Sequence, residues 1–456
     1  MTDALRVNTN TDALSQRRIL LFWLPLASSW LLMTTEMPFI SAAIARLPDA
    51  QTMIAAFGIT ASISITIESP VIMLLATATA LATHRQAYKM IRRFTIHLMV
   101  LTTALTVLIG FTPLYDVIVR GWMSIPPAIA QAAQPGIQIM TLWSAAIAWR
   151  RFKQGVMIRN GQTRLIGVGT IIRLAASTGT AVGLAVLALG QRPELVEGGV
   201  EGWGGVTGVT VGGAALMAGV IAEALYAHWA AAPVIAAQFS REDFDHPDLT
   251  YRALLKFHLP LAAVSLLTLL GQPMVSAALA RAANPERSLA AWPVVNGLLS
   301  IFRSASYALP EAVIALQSRP GSVAALRRFC YNVGWVTTAG LAVMAATPLA
   351  GLYFHSVIGI SSELTALALP GIWLGLTLPA VGSVQSYLRG SLMSRHSTNP
   401  LYQAMLINLL TMGIVLAVGV RQGWPGVPLA SGALGVAQLA EGALLMWSVN
   451  HVKRFD

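Results

Sequence analysis

Residues 20–46 read LLFWLPLASSWLLMTTEMPFISAAIAR, and residues 255–281 read LKFHLPLAAVSLLTLLGQPMVSAALAR. A shift of 235 positions superimposes them without a gap: Leu20 on Leu255, Phe22 on Phe257, the LPLA runs at 24–27 and 259–262, Pro38 on Pro273, SAA at 41–43 and 276–278, and AR at 45–46 and 280–281. The same shift holds downstream. Arg92-Arg93-Phe94 meets Arg327-Arg328-Phe329, Thr112-Pro113-Leu114 meets Thr347-Pro348-Leu349, and Pro135-Gly136-Ile137 meets Pro370-Gly371-Ile372. Towards the end the register shortens. GWGGV at 202–206 echoes GWPGV at 423–427, and Ala222-Glu223 echoes Ala440-Glu441, as deletions in the second copy would produce. One apolar unit has been duplicated, a pattern that recurs among secondary transporters.

Composition says where such a unit resides. Of 456 residues, 55% are hydrophobic and 11% charged, with a mean hydropathy of +0.65. A soluble domain carries about 25% charged residues, so most of this chain is expected in lipid. The formal charge of +11 does not point to nucleic acid, because the basic residues sit in short segments between apolar runs, as the positive-inside rule describes. The single Cys330 excludes an internal disulfide and a cysteine-based metal cluster. No small-residue cleavage site follows the first apolar run, which reads as a retained helix.

A helix needs about 20 apolar residues to cross the hydrocarbon core. Twelve candidates occur, near 20–45, 53–83, 95–119, 133–149, 165–189, 206–236, 254–280, 288–316, 331–354, 366–388, 401–420 and 427–449. The expected fold is an all-α integral membrane protein: twelve transmembrane helices in two pseudo-symmetric six-helix lobes, residues 1–240 and 253–456, joined by a cytoplasmic linker at 241–252. Six helices per copy is an even number, so both copies start from one side of the membrane. Arg and Lys concentrate at 84–94, 150–164 and 317–330, which places both termini in the cytoplasm of a plasma (inner) membrane protein. Residues 190–205, rich in Gly and Glu, read as an external loop. No assembly helix is evident, and a monomer is the expectation.

Ionisable side chains inside a spanning helix are expensive and face a cavity or a partner. Seven qualify: Glu36, Glu68, Arg173, Glu223, Arg303, Glu311 and Glu441. In the eighth segment Asn296, Ser300, Arg303, Ser304, Tyr307 and Glu311 recur at spacings of three and four, one polar stripe on a helix. Arg303, Asn296, Ser300 and Tyr307, with Gln272 of the seventh segment, are the candidate substrate contacts. Glu68 is the repeat mate of Arg303, and the pair reads either as a gate across a central cleft or as a fixed strut. Pro70, two residues on, is placed to break the helix and free carbonyl groups. Pro38 and Pro273 are expected to kink both entry helices at one depth. Glu36, near mid-membrane, and Glu68 are the candidates for ion coupling or gating, against the plainer reading of a carboxyl that only bonds a neighbour. Arg173, whose mate is Asn408, either attracts anions or snorkels outward. Glu223 and Glu441 read as a structural pair binding loop arginines. No cofactor is expected, H⁺ or Na⁺ being the possible coupling ions. The chain holds no GxxxxGK[ST], HExxH or GxSxG motif and no clustered catalytic set, so an enzyme is not the expectation.

The paired LPLA helices and two six-helix repeats resemble the multidrug/oligosaccharidyl-lipid/polysaccharide (MOP) exporter superfamily. AAFGITAS at 55–62, GQPMVSAALAR at 271–281 and GALGVAQLAEGALL at 432–445 bring the resemblance nearest to the progressive ankylosis proteins. The Gly/Asp/Arg loop of the major facilitator class is missing from 84–94. The resemblance implies two lobes that open alternately to each side, as in MATE-like exporters. From the multidrug branch it implies H⁺ or Na⁺ coupling through an acid on the first helix, where Glu36 falls. From the ankylosis branch it implies export of small organic or phosphate-containing anions, which Arg303 suits. A multidrug cation antiporter, a lipid-linked glycan flippase and a non-transporting scaffold are the alternatives.

Overall fold

The computed structural model describes residues 14–190, 206–239, 249–317, 321–394 and 399–452. The expected external loop and most of the expected linker lie outside the described residues. The first half runs α1 (Gln16–Ile44), α2 (Ala50–Ile67), α3 (Ser69–Ile72), α4 (Leu74–Leu81), α5 (Arg85–Phe111), α6 (Leu114–Asp116), a π-helical turn Val117–Trp122, α7 (Pro127–Ile139), a 3₁₀ turn Met140–Leu142, α8 (Trp143–Arg159), α9 (Thr163–Gly190) and α10 (Gly208–Phe239). The second runs α11 (Tyr251–Leu269), α12 (Gly271–Leu279), α13 (Pro285–Tyr307), α14 (Leu309–Leu316), α15 (Ser322–Ala346), α16 (Leu349–Leu352), a π-helical turn Tyr353–Ile358, α17 (Ser362–Leu374), α18 (Thr377–Ser394), α19 (Asn399–Arg421) and α20 (Gly426–Val452).

The repeat read from sequence reappears in the backbone. α5 and α15 both end one residue before the Thr-Pro-Leu triplet. A residue preceding proline is pushed out of the helical region, and Thr112 and Thr347 both adopt extended backbone there. Each threonine hydroxyl then donates to the carbonyl four residues back, Leu108 or Val343, while accepting from the amide two residues on, Leu114 or Leu349. The left-handed residues Asp49 and Asn284 are also mates, leading into α2 and α13; Asp and Asn are the non-glycine residues that tolerate this conformation best. The α3/α4 break at Met73 has its mate at Ala308, between α13 and α14.

Among the described residues nine helices are long and apolar enough to cross a membrane, or ten if the bent pair α17–α18 counts as one span. All twelve expected segments fall on helices, but the eighth fails this criterion with its polar stripe, and the second and fourth are interrupted. Among the described residues the protein is all-helical, and it is a multi-pass membrane protein. The helix breaks after Ile67, as Pro70 foretold, and the freed Pro70 carbonyl accepts from Nε2 of His258 on α11 at 3.0 Å. The entry helices differ. α1 runs on through Pro38, whereas its counterpart breaks at Leu270, beside Gly271 and ahead of Pro273. Proline removes one helical bond and glycine weakens the same turn, so two faults coincide only in the second copy. The basic segments read as loops are helical: Arg85, Lys89, Arg92 and Arg93 belong to the first turns of α5, and Arg150, Arg151 and Lys153 to the middle of α8.

The two halves meet chiefly on α1, α2 and α13, with α11 packing on α3 as well. A Cβ on Gly58 of α2 would lie 2.6 Å from Pro293 Cγ of α13. These residues are themselves repeat mates, so the contact marks the pseudo-symmetry axis. A glycine is needed there because the helices approach too closely for a side chain.

Candidate functional site

Six charged side chains gather in the first half. Glu36 of α1 receives Arg173 of α9 side-on, Nε reaching both carboxylate oxygens at 3.1 and 3.0 Å and Nη2 reaching Oε2 at 2.6 Å. Glu223 of α10 accepts from Arg150 Nη1 through Oε2 and from Gln154 Nε2 through Oε1 at 3.0 Å, both donors lying one turn apart on α8. Arg173 also comes within 3.8 Å of Glu223, bridging the two carboxylates. Glu68, beyond the end of α2, accepts from the indole Nε1 of Trp143, and the Arg173 guanidinium lies 5.7 Å above that ring. Arg151 follows Arg150 on α8; among the described residues it forms no ion pair, and its Nε is buried without a hydrogen-bond partner. Three carboxylates and three guanidiniums thus lie in one region, equal in number, with Arg173 and Arg150 paired to Glu36 and Glu223. Balance is required, since an unpaired buried charge is costly and a paired, hydrogen-bonded one persists.

The second half holds a reduced version. Glu441 of α20 accepts from Arg389 of α18 through Oε1 and from Asn408 of α19 through Oε2 at 2.9 Å. Gln385, one turn before Arg389, donates to the Gln438 carbonyl at 2.7 Å. Position 150 is the mate of 385 and position 154 of 389, so Arg-x-x-x-Gln on α8 becomes Gln-x-x-x-Arg on α18. Glu223 and Glu441 are therefore bound by arginines, as expected, but by helical ones rather than loop ones.

Of the sequence-chosen residues, Glu36, Glu68 and Arg173 come together. The α13 stripe stands apart from them. Asn296, Ser300, Arg303 and Tyr307 are all half-buried along one face, and Gln272 on α12 is half-buried too. The Arg303 guanidinium lies 5.8 Å above the Tyr307 ring, which meets Trp30 of α1 edge-on at 5.4 Å. Its Nε is buried without a hydrogen-bond partner, and among the described residues it forms no ion pair. Ser304 turns inward to bond its own helix, and Glu311 is exposed. The expected meeting of Glu68 with Arg303 is not found. Mates face each other only at the axis, and both positions lie ten residues beyond the Gly58–Pro293 contact, about 15 Å along a helix. Sequence reading missed Trp143, Arg150, Gln154 and Arg389, although the inverted Arg/Gln pair at the repeat shift was a detectable signal. A cavity of about 510 Å³, lined mainly by apolar side chains such as Phe39, Val182, Val186 and Ile301, opens between α1, α9 and the π-turn Tyr353–Ile358.

No protein-family model matches the chain, and no curated protein matches it by sequence. Solved structures do. An inward-facing multidrug resistance MATE family transporter of the MOP superfamily superposes with a TM-score of 0.67 at 10% identity, covering 95% of this chain and 99% of its own. The lipid II flippase MurJ in an inward closed conformation gives 0.68 at 11% identity, over 93% and 87%. The fold is the one these MOP-superfamily proteins share. An outward-facing MATE family transporter gives 0.59 at 11% identity, over 96% of both chains. A MOP superfamily transporter from Pyrococcus furiosus, described for the reverse polarity of its binding pocket, gives 0.58 at 10% identity, over 97% and 99%.

Proposed function

We propose that this protein is a secondary active transporter, an exporter of a small organic or phosphate-containing anion, working by alternating access between two six-helix lobes. The observation that carries the anion is the state of the seven ionisable residues chosen from the sequence. Glu36, Glu68, Glu223 and Glu441 each hold a donor from the protein, and Arg173 is saturated by carboxylate. Glu311 is exposed at the end of the stripe. Of the arginines among these seven, Arg303 is the one that, among the described residues, has no counter-charge; it is half-buried with an unpartnered Nε, as is Arg151 on α8. A guanidinium with open donors between helices that face one another matches carboxylate or phosphate oxygens bidentately. Gln272, Asn296, Ser300 and Tyr307 supply neutral donors and acceptors around it. The likeness of the 271–281 and 432–445 runs to progressive ankylosis proteins supports the same class of cargo. The substrate is the partner, together with the bilayer, and no nucleic acid is involved.

A multidrug cation antiporter fits less well, because Glu36 already holds an internal cation in Arg173. Glu36 and Glu68 remain the groups through which H⁺ or Na⁺ would couple, by exchange against Arg173 or Trp143. A lipid-linked substrate is the second reading. The apolar cavity beside α1 is large enough for part of an acyl chain, and MurJ shares the fold. On this reading the protein is a monomer of the plasma membrane with cytoplasmic termini.

Counterflow in proteoliposomes, run against di- and tricarboxylates, inorganic phosphate and pyrophosphate, and cationic dyes, tests the proposal. Arg303→Ala should lower anion flux by about tenfold or more, with Arg303→Lys between the two. Unchanged flux in a folded Arg303→Ala protein would remove Arg303 from the mechanism.

A further inference from the structure

At the face where α1 ends, Arg46 donates to the carbonyls of Ile358 and Val357, both at 3.1 Å, and to Ala42 of its own helix. Arg281, which follows α12, donates to Met123 at 3.1 Å, to Trp122, and to Ala277 of its own helix at 2.7 Å. Every atom pair in one set is the repeat mate of a pair in the other: 46 with 281, 42 with 277, 357 with 122, 358 with 123. Each half therefore extends one arginine into the other half, and the two grips are related by the pseudo-symmetry. The acceptors have a physical origin. Both π-helical turns end at left-handed residues, Gly359 (φ 92°) and Ser124 (φ 56°). The chain bonds back to Phe354 and to Ile118 and Val119, leaving the last carbonyls of each turn pointing outward. Terminal carbonyls carry the negative end of a helix and attract cations.

We propose that Arg46 and Arg281 form a reciprocal clasp that gates this face of the transporter. This rests on the alternating-access reading. A strut and a gate differ in whether release can be tolerated. Arg150 and Glu223 are 3% and 2% exposed, so separating them would strand buried charge. Arg46 and Arg281 are exposed residues bound to neutral carbonyls. On release both guanidiniums and carbonyls take up water, so the bonds are exchanged rather than lost. A second pair of mates ties the opposite face: Trp23 Nε1 donates to the Ala305 carbonyl at 3.2 Å, and His258 Nε2 bonds the Pro70 carbonyl at 3.0 Å. Both faces are tied by the same symmetric device, but only the arginine tier has exposed donors, and in each grip one acceptor, Val357 or Trp122, is exposed while the other, Ile358 or Met123, belongs to a buried residue.

Pulsed electron resonance on the full chain tests the proposal without substrate, so its outcome is independent of the Arg303 flux result. The buried Cys330 is replaced by alanine, and spin labels are placed at Ala128→Cys and Ser362→Cys, exposed positions at the starts of α7 and α17, one in each half. Arg46→Ala and Arg281→Ala should each raise the ratio of long to short distances by about tenfold, and the double variant should raise it further. Arg46→Lys with Arg281→Lys, which keeps charge but not the fork, should fall between and guards against a misfolded alanine variant. Trp23→Phe, at the other face, should not lengthen this distance. The proposal is overturned if the folded double variant, alanine or lysine, keeps the wild-type distribution, or if Trp23→Phe lengthens the distance as much as the arginine variants do.

Discussion

The charged clusters of the two halves descend from one template and have diverged in a way that separates scaffold from specialisation. Both keep a glutamate on the last helix of the repeat, clamped by an arginine on the helix four places along it. Only the first half adds Glu36 and Arg173. The second half has Gly271 and Asn408 at those positions, so it lacks the acid and the base together. An acid or a base gained alone would leave a charge in the membrane interior, while a pair gained or lost together keeps each half neutral. The clamp is common structure; the Glu36–Arg173 pair is what one half does and the other does not.

The clamp itself is unequal, and this gives the largest expected effect. Arg150 is 3% exposed and Arg389 is 33% exposed. Glu223→Gln should destabilise by about 3–5 kcal/mol because it leaves Arg150 buried without a carboxylate. Glu441→Gln should destabilise by about 1 kcal/mol, since Arg389 reaches water. Thermal unfolding of the purified variants in detergent reads the difference. Equal losses would mean that burial does not distinguish the two clamps.

The specialised pair is tested by imposing the second half's residues on the first. Arg173→Asn and Glu36→Ala should each destabilise, and the double variant should recover part of the loss, with a coupling of about 2 kcal/mol in a double-mutant cycle. Transport then sharpens the result. If the pair carries the coupling ion, the double variant is stable but uncoupled, its flux no longer following the pH or Na⁺ gradient. If the pair only joins α1 to α9, coupling survives with stability.

The repeat, the break before Pro70 and the polar stripe on α13 were all legible in the sequence, because each is a matter of periodicity or proline and glycine chemistry. The partners of the charges were not. Trp143 gives no electrostatic signal in a sequence, yet it binds Glu68. The run Arg150-Arg151-Phe152-Lys153-Gln154 has the composition of a loop, but α8 continues through it. Arg150 and Lys153 turn inward, Lys153 to the Tyr88 hydroxyl at 3.1 Å and over the rings of Tyr88, Trp149 and Phe152. Pairing Glu68 with Arg303 failed for a geometric reason. A pseudo-two-fold places mates in equivalent surroundings and brings them into contact only on its axis, where Gly58 and Pro293 stand.

The smallest effect is expected from exchanging the clamp's own donors. Arg150→Gln with Gln154→Arg gives α8 the order found on α18. Glu223 takes one donor from each position, so a swap returns a guanidinium and an amide to the same carboxylate from one turn away. The double variant should lie within about 1 kcal/mol of the parent, whereas Arg150→Gln alone should destabilise several-fold more. In the second half the arginine's companion Gln385 bonds a backbone carbonyl instead of the glutamate, so the swap is tolerated there with only one side-chain donor from α18. A loss as large as that of Glu223→Gln would show that Arg150 is fixed by its proximity to Arg173 and Glu68. The clamp and the specialised pair would then be a single unit, and the two halves would no longer share a separable scaffold.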